Sequence, residues 1–266
     1  MPAAQAEWAA AEACALLGTG CHEAPPPAPG MALLELWAPE GRVAPGALRD
    51  ALRSRGIDAD VRADPQDDRW REAMRAFHRP VDVAGRLRVR PPWAPAAPAM
   101  LDVVIDPGMA FGTAQHGTTR ACLAMLCGME TRGAVLDAGC GSGVLAIAAR
   151  RLGFAPVTAV DSDPLAVEAT IANARANGVA LTVARRAIGA DPLPAADVIL
   201  ANLTLTVLRV LAGALPAPAP AHMVLSGLRP DEAPEAAGLF AGAGLREAER
   251  VQDDGWTTVR LARPHP

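Results

Sequence analysis

The sequence predicts an α/β fold in which a mostly parallel sheet is preceded by a small α+β domain. From Met100 onward, short apolar runs alternate with helical segments, which is typical of a parallel sheet wrapped by helices. The last two strand candidates follow the final helix directly, so we expect an antiparallel hairpin at one edge of the sheet. An all-parallel dehydrogenase sheet has no such hairpin.

The strands and helices of the main domain are identified by their apolar periodicity. Strand candidates are residues 103–105, 134–137, 157–160, 181–184, 198–201, 222–226, 245–251 and 256–261. Helix candidates are residues 118–126, 144–151, 164–177, 205–214 and 231–243. This alternation predicts a main domain over residues 99–266.

The first part of the chain has a different organisation. Residues 1–64 contain a helical run at 5–17, a strand-like run at 31–37 and a helix at 47–55, which predicts a small α+β domain. Residues 65–98 begin with charged side chains, include a helical pattern at 70–77 and end in a proline-dense run. Because proline-rich segments are stiff, we expect an ordered linker there.

Composition limits the function classes. The 266 residues suffice for two unequal domains. A net charge of −4 gives no general attraction to nucleic acid or to an anionic membrane. The five cysteines contain no C-x-x-C pair, so neither a disulfide framework nor a metal site is predicted. Without a basic leader or an unbroken apolar span, the sequence predicts a cytoplasmic location.

A glycine-rich turn is the strongest chemical signal. Residues 137–143 read D-A-G-C-G-S-G, directly after an apolar strand and before a helix. Glycine permits positive φ and lets a ligand lie against bare backbone, so Gly139 and Gly141 are candidate cofactor contacts. The spacing differs from the dinucleotide pattern G-x-G-x-x-G and favours a small zwitterionic cofactor over NAD. The alternative is a tight turn without a ligand.

Asp161 ends the next predicted strand, 22 positions after Gly139. An acid about 20 residues beyond such a turn can accept hydrogen bonds from the ribose hydroxyls of a nucleoside. The alternative is that this acidic segment caps the helix that begins near Pro164, and Asp163 before that proline suits the cap. Both roles can coexist, with Asp161 binding and Asp163 capping.

Asn202 ends the strand predicted at 198–201, at the sheet edge where open α/β sheets place their active sites. Its side-chain carbonyl, together with the backbone carbonyl that follows, can accept hydrogen bonds from an amine. The alternative is that Asn202 caps the helix predicted at 205–214.

Residues 106–119 form a loop rich in turn formers and hydroxyls just before a helix, which indicates a binding loop. Thr118 or Thr119 can cap that helix and also reach a cofactor near the glycine turn. For His116 the simple interpretation is a loop histidine bonded to its own backbone, because nothing beside it resembles a Ser/His/Asp set or a metal cluster.

These motifs together resemble the PrmA family, bacterial methyltransferases that trimethylate amines of ribosomal protein L11. The family loop L-D-P-G-x-A-F-G-T-G-x-H-x-T-T reads IDPGMAFGTAQHGTT at 105–119, and D-x-G-C-G-S-G reads DAGCGSG at 137–143. The family's ribose acid corresponds to Asp161, its A-N-I-L to ANLT at 201–204, and its L-S-G-I-L to LSGL at 225–228. Trp70, Pro80 and Pro92-Trp93 also follow the family order.

The resemblance implies a substrate-recognition domain, a linker and a methyltransferase domain with a seven-stranded Rossmann-like sheet. It also implies S-adenosyl-L-methionine as cofactor and S-adenosyl-L-homocysteine as product. Carried over to this sequence, the cofactor contacts are Thr119, Gly139, Asp161 and Asn202, and Phe111 shapes the amine pocket beside them. Three departures stand out: Ala114 replaces a glycine, Leu203-Thr204 replaces Ile-Leu, and the N-terminal domain matches only in outline.

We therefore expect a protein N-methyltransferase that acts on lysine or α-amino groups of ribosomal protein L11, with Asn202 orienting a neutral amine. The expected cofactor-binding residues are Thr119, Gly139, Gly141, Asp161, Asn202 and Phe111, without a metal. We expect a monomer whose partner is the ribosomal protein, with no direct contact to nucleic acid or membrane. The alternatives are a different amine substrate, a non-catalytic protein that binds the same cofactor, and an NAD-dependent oxidoreductase.

Overall fold

A computed structural model describes residues 1–2, 5–6, 9–10, 13, 21–24, 28–36, 44–62, 78–107, 114–130 and 132–264. The chain forms two compact units, Met1–Arg71 and Glu72–Pro266. The helix predicted at 70–77 and part of the one predicted at 5–17 lie outside the described residues. The domain boundaries expected at 64 and 98 stay a prediction.

Two strands and one helix of the first unit can be followed from end to end in its described residues. Strands β1 (Cys21–Ala24) and β2 (Leu33–Leu36) pair antiparallel, with Cys21 opposite Leu36. Helix α1 (Pro45–Ser54) has proline in its first turn, where the missing N–H costs nothing. Leu48 and Leu52 of this helix are buried together with Ala9, Ala13 and Ile57.

The second unit opens with a three-stranded sheet. Strands β3 (Val81–Val83) and β4 (Leu87–Arg90) pair antiparallel, and β4 pairs parallel with β5 (Leu101–Val104). Residues 81–90 therefore form two strands within the segment that we expected to be a linker. The predicted strand at 103–105 corresponds to β5, but it joins this small sheet instead of the large one.

The large sheet has seven strands. They are β6 (Val135–Ala138), β7 (Val157–Asp161), β8 (Thr182–Arg185), β9 (Val198–Asn202), β10 (His222–Leu228), β11 (Arg246–Asp253) and β12 (Trp256–Ala262). Their order is β11-β12-β10-β9-β6-β7-β8, and β12 runs antiparallel to both of its neighbours. The predicted fold class, a seven-stranded Rossmann-like sheet with an antiparallel end, is confirmed.

In the described part of the second unit, five helices accompany these sheets. They are α2 (Gly117–Gly128), α3 (Val144–Arg151), α4 (Pro164–Ala176), α5 (Leu205–Gly213) and α6 (Ala233–Gly238). The last predicted helix, 231–243, is shorter in the structure because α6 ends at Gly238 and a separate 3-10 turn covers Ala241–Ala243. Glycine is unfavourable inside a helix, which fits an end at that residue.

The core lies in two layers, one on each face of the large sheet. Ile199 belongs to the layer that contains Leu208 and Phe240, whereas its neighbour Leu200 belongs to the layer that contains Leu126 and Ile147. Successive residues of β9 thus face opposite sides, and both sides are covered, as in sheets of parallel strands. Within the described ranges, no helix is long and apolar enough to cross a membrane.

The strand order places a crevice between β6 and β9. The chain runs outward from β6 to β7 and β8, then returns to β9 on the other side of β6. Ligands of open α/β sheets bind at the carboxyl ends of the strands, where the order reverses in this way. The segments that follow β6, β7 and β9 therefore define the candidate site.

Candidate active site

The turn between β6 and α3 has an unusual backbone. Gly139, Gly141 and Gly143 have φ values of +77°, +54° and +81°, a region that favours glycine. Space is also limited, because a Cβ on Gly143 would lie 2.8 Å from Cγ2 of Thr170 and one on Gly139 would lie 2.5 Å from Cδ2 of Leu203. The alternating glycines of the motif are thus required by conformation and by close packing.

Asp161 stabilises this turn from the end of β7. Its Oδ2 accepts a hydrogen bond from the Gly141 N–H at 3.0 Å, and its Oδ1 accepts one from the Asp163 N–H at 3.0 Å. Each carboxylate oxygen keeps a further lone pair, so Asp161 can still accept hydrogen bonds from a ligand. Asp163 caps α4 by accepting the Leu165 N–H at 2.9 Å, as predicted from the sequence.

Asp137 lies beneath the turn and is almost fully buried. It accepts a hydrogen bond from the Ala146 N–H, in the first turn of α3, at 3.0 Å. The pKa of the Asp137 carboxyl is raised to about 7: burial has the largest effect and raises it, the hydrogen bond from the Ala146 N–H lowers it, and the nearby charge of Asp161 raises it. No role for this first residue of the D-A-G-C-G-S-G motif was predicted from the sequence.

Two buried side chains of α4 hold the turn from the other side. The Thr170 hydroxyl donates to the Gly141 carbonyl at 2.9 Å, and Asn173 Nδ2 donates to the Ser142 carbonyl at 2.9 Å. Sequence reasoning missed both residues. Together with Asn177, one turn further on, they place three polar side chains on one face of the helix. This pattern could have indicated from the sequence that the face makes specific hydrogen bonds.

Asn202 faces the first turn of α2. Its Nδ2 donates to the Thr118 hydroxyl at 3.3 Å and lies 3.5 Å from the Thr119 hydroxyl. Asn202 does not cap α5, since the residue at that cap position is Thr204, which makes no side-chain capping bond. The structure therefore excludes the alternative interpretation of Asn202 as the cap of this helix.

The cap of α2 is His116 and not one of the threonines proposed from the sequence. His116 Nδ1 accepts the Thr118 N–H at 3.4 Å and lies 2.8 Å from the Thr118 hydroxyl, which donates to it. A chain of hydrogen bonds thus runs from Asn202 through Thr118 to His116. The His116 ring also packs edge-on against Trp256, with 5.4 Å between ring centroids.

Two oxygen atoms converge at the end of β9. A Cβ on Gly227 would lie 2.7 Å from the backbone oxygen of Leu203 and 3.3 Å from Oδ1 of Asn202. Since the Asn202 amide nitrogen is engaged by the threonines, Oδ1 is the atom that remains as acceptor. A side chain at Gly227 would collide with the Leu203 carbonyl and crowd Asn202 Oδ1, so glycine is needed beside these two oxygens.

These residues surround one cavity of about 490 Å³. The lining includes five predicted cofactor contacts: Thr119, Gly139, Gly141, Asp161 and Asn202. Phe111, the sixth, lies outside the described residues. The lining also includes side chains that sequence reasoning missed, namely Cys140, Ser162, Arg186, Ala187, Ile188, Val207 and Val210. Residues 186–188 follow β8, at the sheet edge where β6, β7 and β9 also end. Their position after a predicted strand could have identified them as residues of the site.

The fold and the cavity define a class I, S-adenosylmethionine-dependent methyltransferase. The seven-stranded Rossmann-like sheet with its antiparallel strand β12, and the D-x-G-x-G turn opposite Asp161, are the features that the family resemblance implied. A family model described as "Ribosomal protein L11 methyltransferase (PrmA)" matches residues 50–264. The chain belongs to this family, as its motifs indicated.

Relatives and solved structures agree with this family. The ribosomal protein L11 methyltransferase of Symbiobacterium thermophilum is 36% identical over 90% of this chain and 84% of its own length. That of Dechloromonas aromatica is 42% identical over 74% of this chain and 67% of its own length. A crystal structure of the ribosomal protein L11 methylase from Lactobacillus delbrueckii subsp. bulgaricus covers 71% of this chain and 100% of that one, with a TM-score of 0.60 and 25% identity.

The buried Asp137 predicts a pH-dependent effect on stability. A carboxyl whose pKa rises from 3.8 in the unfolded chain to about 7 in the folded protein holds a proton that the unfolded chain has released. The free energy of unfolding therefore falls as pH rises between these two values, and levels off above the higher one. An Asp137→Asn variant keeps an amide oxygen that can accept the Ala146 N–H, but this side chain does not titrate.

We expect the stability of Asp137→Asn, relative to the unsubstituted protein, to increase as pH rises through this window. Urea unfolding of both proteins at several pH values between about 5 and 8 measures this difference, and effects of the other titrating groups cancel in it. Equal m-values would show that the surface exposed on unfolding is unchanged. A stability difference that is constant across the series would contradict a protonated Asp137.

Proposed function

We propose that this protein transfers methyl groups from S-adenosyl-L-methionine to amino groups of ribosomal protein L11. The observation that carries the proposal is the convergence of Asn202 Oδ1 and the Leu203 carbonyl beside the glycine-turn cavity. The names of the relatives support the substrate, since they are described as L11 methyltransferases. The chain contains no lysine, so a lysine amine that it methylates belongs to another molecule.

The residues around the cavity fit the cofactor. Gly139 and Gly141 offer bare backbone, and Asp161 offers acceptor oxygens for the ribose hydroxyls. Ile188, Val207 and Val210 give an apolar wall suited to a base. The volume of about 490 Å³ is within the usual range for pockets that hold small molecules. When bound there, S-adenosyl-L-methionine supplies an electrophilic methyl group on a sulfonium.

Asn202 would orient the incoming amine. A neutral primary amine has two N–H groups, and the convergent oxygens of Asn202 and Leu203 provide an acceptor for each. With both N–H groups held, the nitrogen lone pair has a fixed direction, and fixed direction is the main contribution of an active site to a two-reactant step. Desolvation lowers the pKa of a lysine ammonium and thereby favours the neutral, nucleophilic form.

The remaining expectations belong to the same proposal. Phe111 would shape the amine pocket, and Thr119 would contact the cofactor from the start of α2. We propose that the protein acts as a monomer. A ribosomal protein substrate would be met in the cytoplasm. Lysine and α-amino groups both offer the neutral amine that this arrangement requires.

The proposal is tested by incubating the purified protein with labelled S-adenosyl-L-methionine and undermethylated ribosomal protein L11. We expect intact-mass spectrometry to show mass gains on L11 in multiples of one methyl group. L11 with chemically acetylated amines serves as the control and should stay unmodified. A parallel panel of free amines tests the rival substrates. Tight cofactor binding with transfer to these amines but none to L11 would overturn the substrate assignment.

Replacing Asn202 tests its orienting role. We expect Asn202→Ala to lower kcat on the order of 10²-fold, similar to the loss of one aligned hydrogen-bonding group in an active site. The affinity for S-adenosyl-L-homocysteine should change much less, because the glycine turn and Asp161 remain. Thr204→Ala is a matched control, since Thr204 lies two positions along and makes no side-chain capping bond. Full turnover by Asn202→Ala with intact cofactor binding would exclude the role.

The ribose contact of Asp161 is tested with a modified ligand, because Asp161 also holds the turn. We compare binding of S-adenosyl-L-homocysteine and of an analogue without ribose hydroxyls by calorimetry. The unsubstituted protein should prefer the natural ligand by about tenfold or more, as expected for hydrogen bonds to a charged group. Asp161→Ala should lose this preference, whereas Asp163→Ala, which removes only the α4 cap, should keep it. Undiminished preference in Asp161→Ala argues for a structural role alone.

A further inference from the structure

We propose that Asn173 is a positioning residue that couples the cofactor turn to the segment leading into the substrate-binding loop. We call residues 105–107 the β5 exit, since they follow the end of β5 at Val104 and lead to the loop before α2. Asn173 Oδ1 accepts the Asp106 N–H of the β5 exit at 3.1 Å, while Nδ2 donates to the Ser142 carbonyl of the glycine turn at 2.9 Å. One side-chain amide thus bridges both segments. The inference rests on the proposed function.

The bridge joins two parts of the protein that no common strand ladder connects. The glycine turn follows β6 of the seven-stranded sheet, whereas the β5 exit follows a strand of the three-stranded sheet. Asn173 is 4% exposed, so both of its hydrogen bonds are shielded from water. Buried polar groups that lose a partner cost free energy, which keeps this amide in one orientation.

The bridge matters for the reaction because each of its ends leads to one reactant. The glycine turn fixes the cofactor, and the β5 exit leads towards α2, whose first turn holds Asn202 through Thr118. A methyl group moves only when the nitrogen, the methyl carbon and the sulfur are aligned. A misplacement of about 1 Å, caused far from the reacting atoms, can cost on the order of 10² in rate.

Asn177 provides a comparison on the same helix face. It is also buried, at 5% exposure, but it bonds to β5 itself, through both the N–H and the carbonyl of Val104, the last residue of the strand, at 2.8 and 2.6 Å. Its remaining bond goes to the carbonyl of Asn173, within its own helix segment. Asn177 therefore anchors β5 to α4 without reaching the glycine turn. The two asparagines are buried to a similar extent, but only Asn173 bonds to the glycine turn.

The test compares Asn173→Ala with Asn177→Ala in the full chain. Both variants should lose stability, as truncated buried amides do. Only Asn173→Ala should lower kcat of the folded protein, by about tenfold or more, with KM and the Kd for S-adenosyl-L-homocysteine within about threefold of the unsubstituted values. Asn177→Ala should keep kcat within about threefold. If Asn173 contributed only to stability, the two variants would have equal kcat after correction for the fraction of folded protein. That result would overturn the proposal.

A second variant keeps the test valid if Asn173→Ala does not fold. Asn173→Asp has nearly the same shape and keeps an acceptor for the Asp106 N–H, but an oxygen replaces the donor that faces the Ser142 carbonyl. Because burial raises the pKa of a carboxyl and a protonated carboxyl could still donate to Ser142, kcat is compared with that of the unsubstituted protein over an alkaline pH series in which the new side chain ionises. We expect hydrogen exchange at Asp106 to stay slow while the relative kcat falls about tenfold or more as the carboxyl ionises. A relative kcat that stays unchanged across the series would contradict the coupling.

Failure of this inference is distinguishable from failure of the proposed function. If ribosomal protein L11 is not the substrate, the unsubstituted protein itself gives no turnover on it, and the variants are then compared on whichever amine the panel identifies. If only the coupling is wrong, the unsubstituted protein turns over and Asn173→Ala matches Asn177→Ala. Hydrogen exchange at Asp106 reports the bond itself without any methyl acceptor.

Discussion

The backbone of the glycine turn is the constraint on which the rest of this site depends. Every second residue of the turn, namely Gly139, Gly141 and Gly143, adopts positive φ. The turn is stable because neighbouring elements form hydrogen bonds to it from several directions. Asp161 accepts its central N–H, while Thr170 and Asn173 donate to its carbonyls. A side chain at Gly143 would collide with Thr170. The turn, the end of β7 and the buried face of α4 consequently form one unit, and a change in any of them alters the floor of the cavity.

Topology explains how residues far apart in sequence meet above this floor. Because β6 pairs with both β7 and β9, the segments that follow these strands lie on either side of the glycine turn. Asp161 and Asn202 therefore face the same cavity from opposite sides. Asn202 contacts Thr118, 84 positions away, since α2 packs beside β9 and β10. In the proposed function the two ends of the cavity would therefore serve different purposes, a nucleoside at β7 and an amine at β9.

Most of the large sheet and the parts of the site with local signals were predictable from the sequence. The glycine turn, the cap at Asp163 and the strand ends at Asp161 and Asn202 depend on residues that are neighbours in the chain. The pairing of β5, the cap at His116 and the bridge at Asn173 were not predicted. The pairing of β5 and the bridge at Asn173 depend on contacts between distant segments, to which apolar periodicity is insensitive. The cap at His116 is local, but histidine is not among the residues that usually cap a helix. Asn173 also resembles an ordinary polar residue of a helix until the structure shows that its face is buried.

The chemistry of the site explains why neutral side chains dominate the network. Methyl transfer to a neutral amine needs alignment more than it needs an acid or a base, so hydroxyls and amides suffice to orient the reactants. In the proposed function, the chain of bonds from Asn202 through Thr118 to His116 would supply alignment on the amine side. Asp137, the buried acid beneath the turn, is held near neutrality, because burial raises its pKa to about 7. Its charge is therefore suppressed where it would be costly, while Asp161 lies at the cavity surface and keeps acceptor oxygens for hydroxyls. Asp137 and Asp161 lie on adjacent strands of the same sheet but differ in burial. This difference suits Asp137 to a structural role and Asp161 to ligand binding.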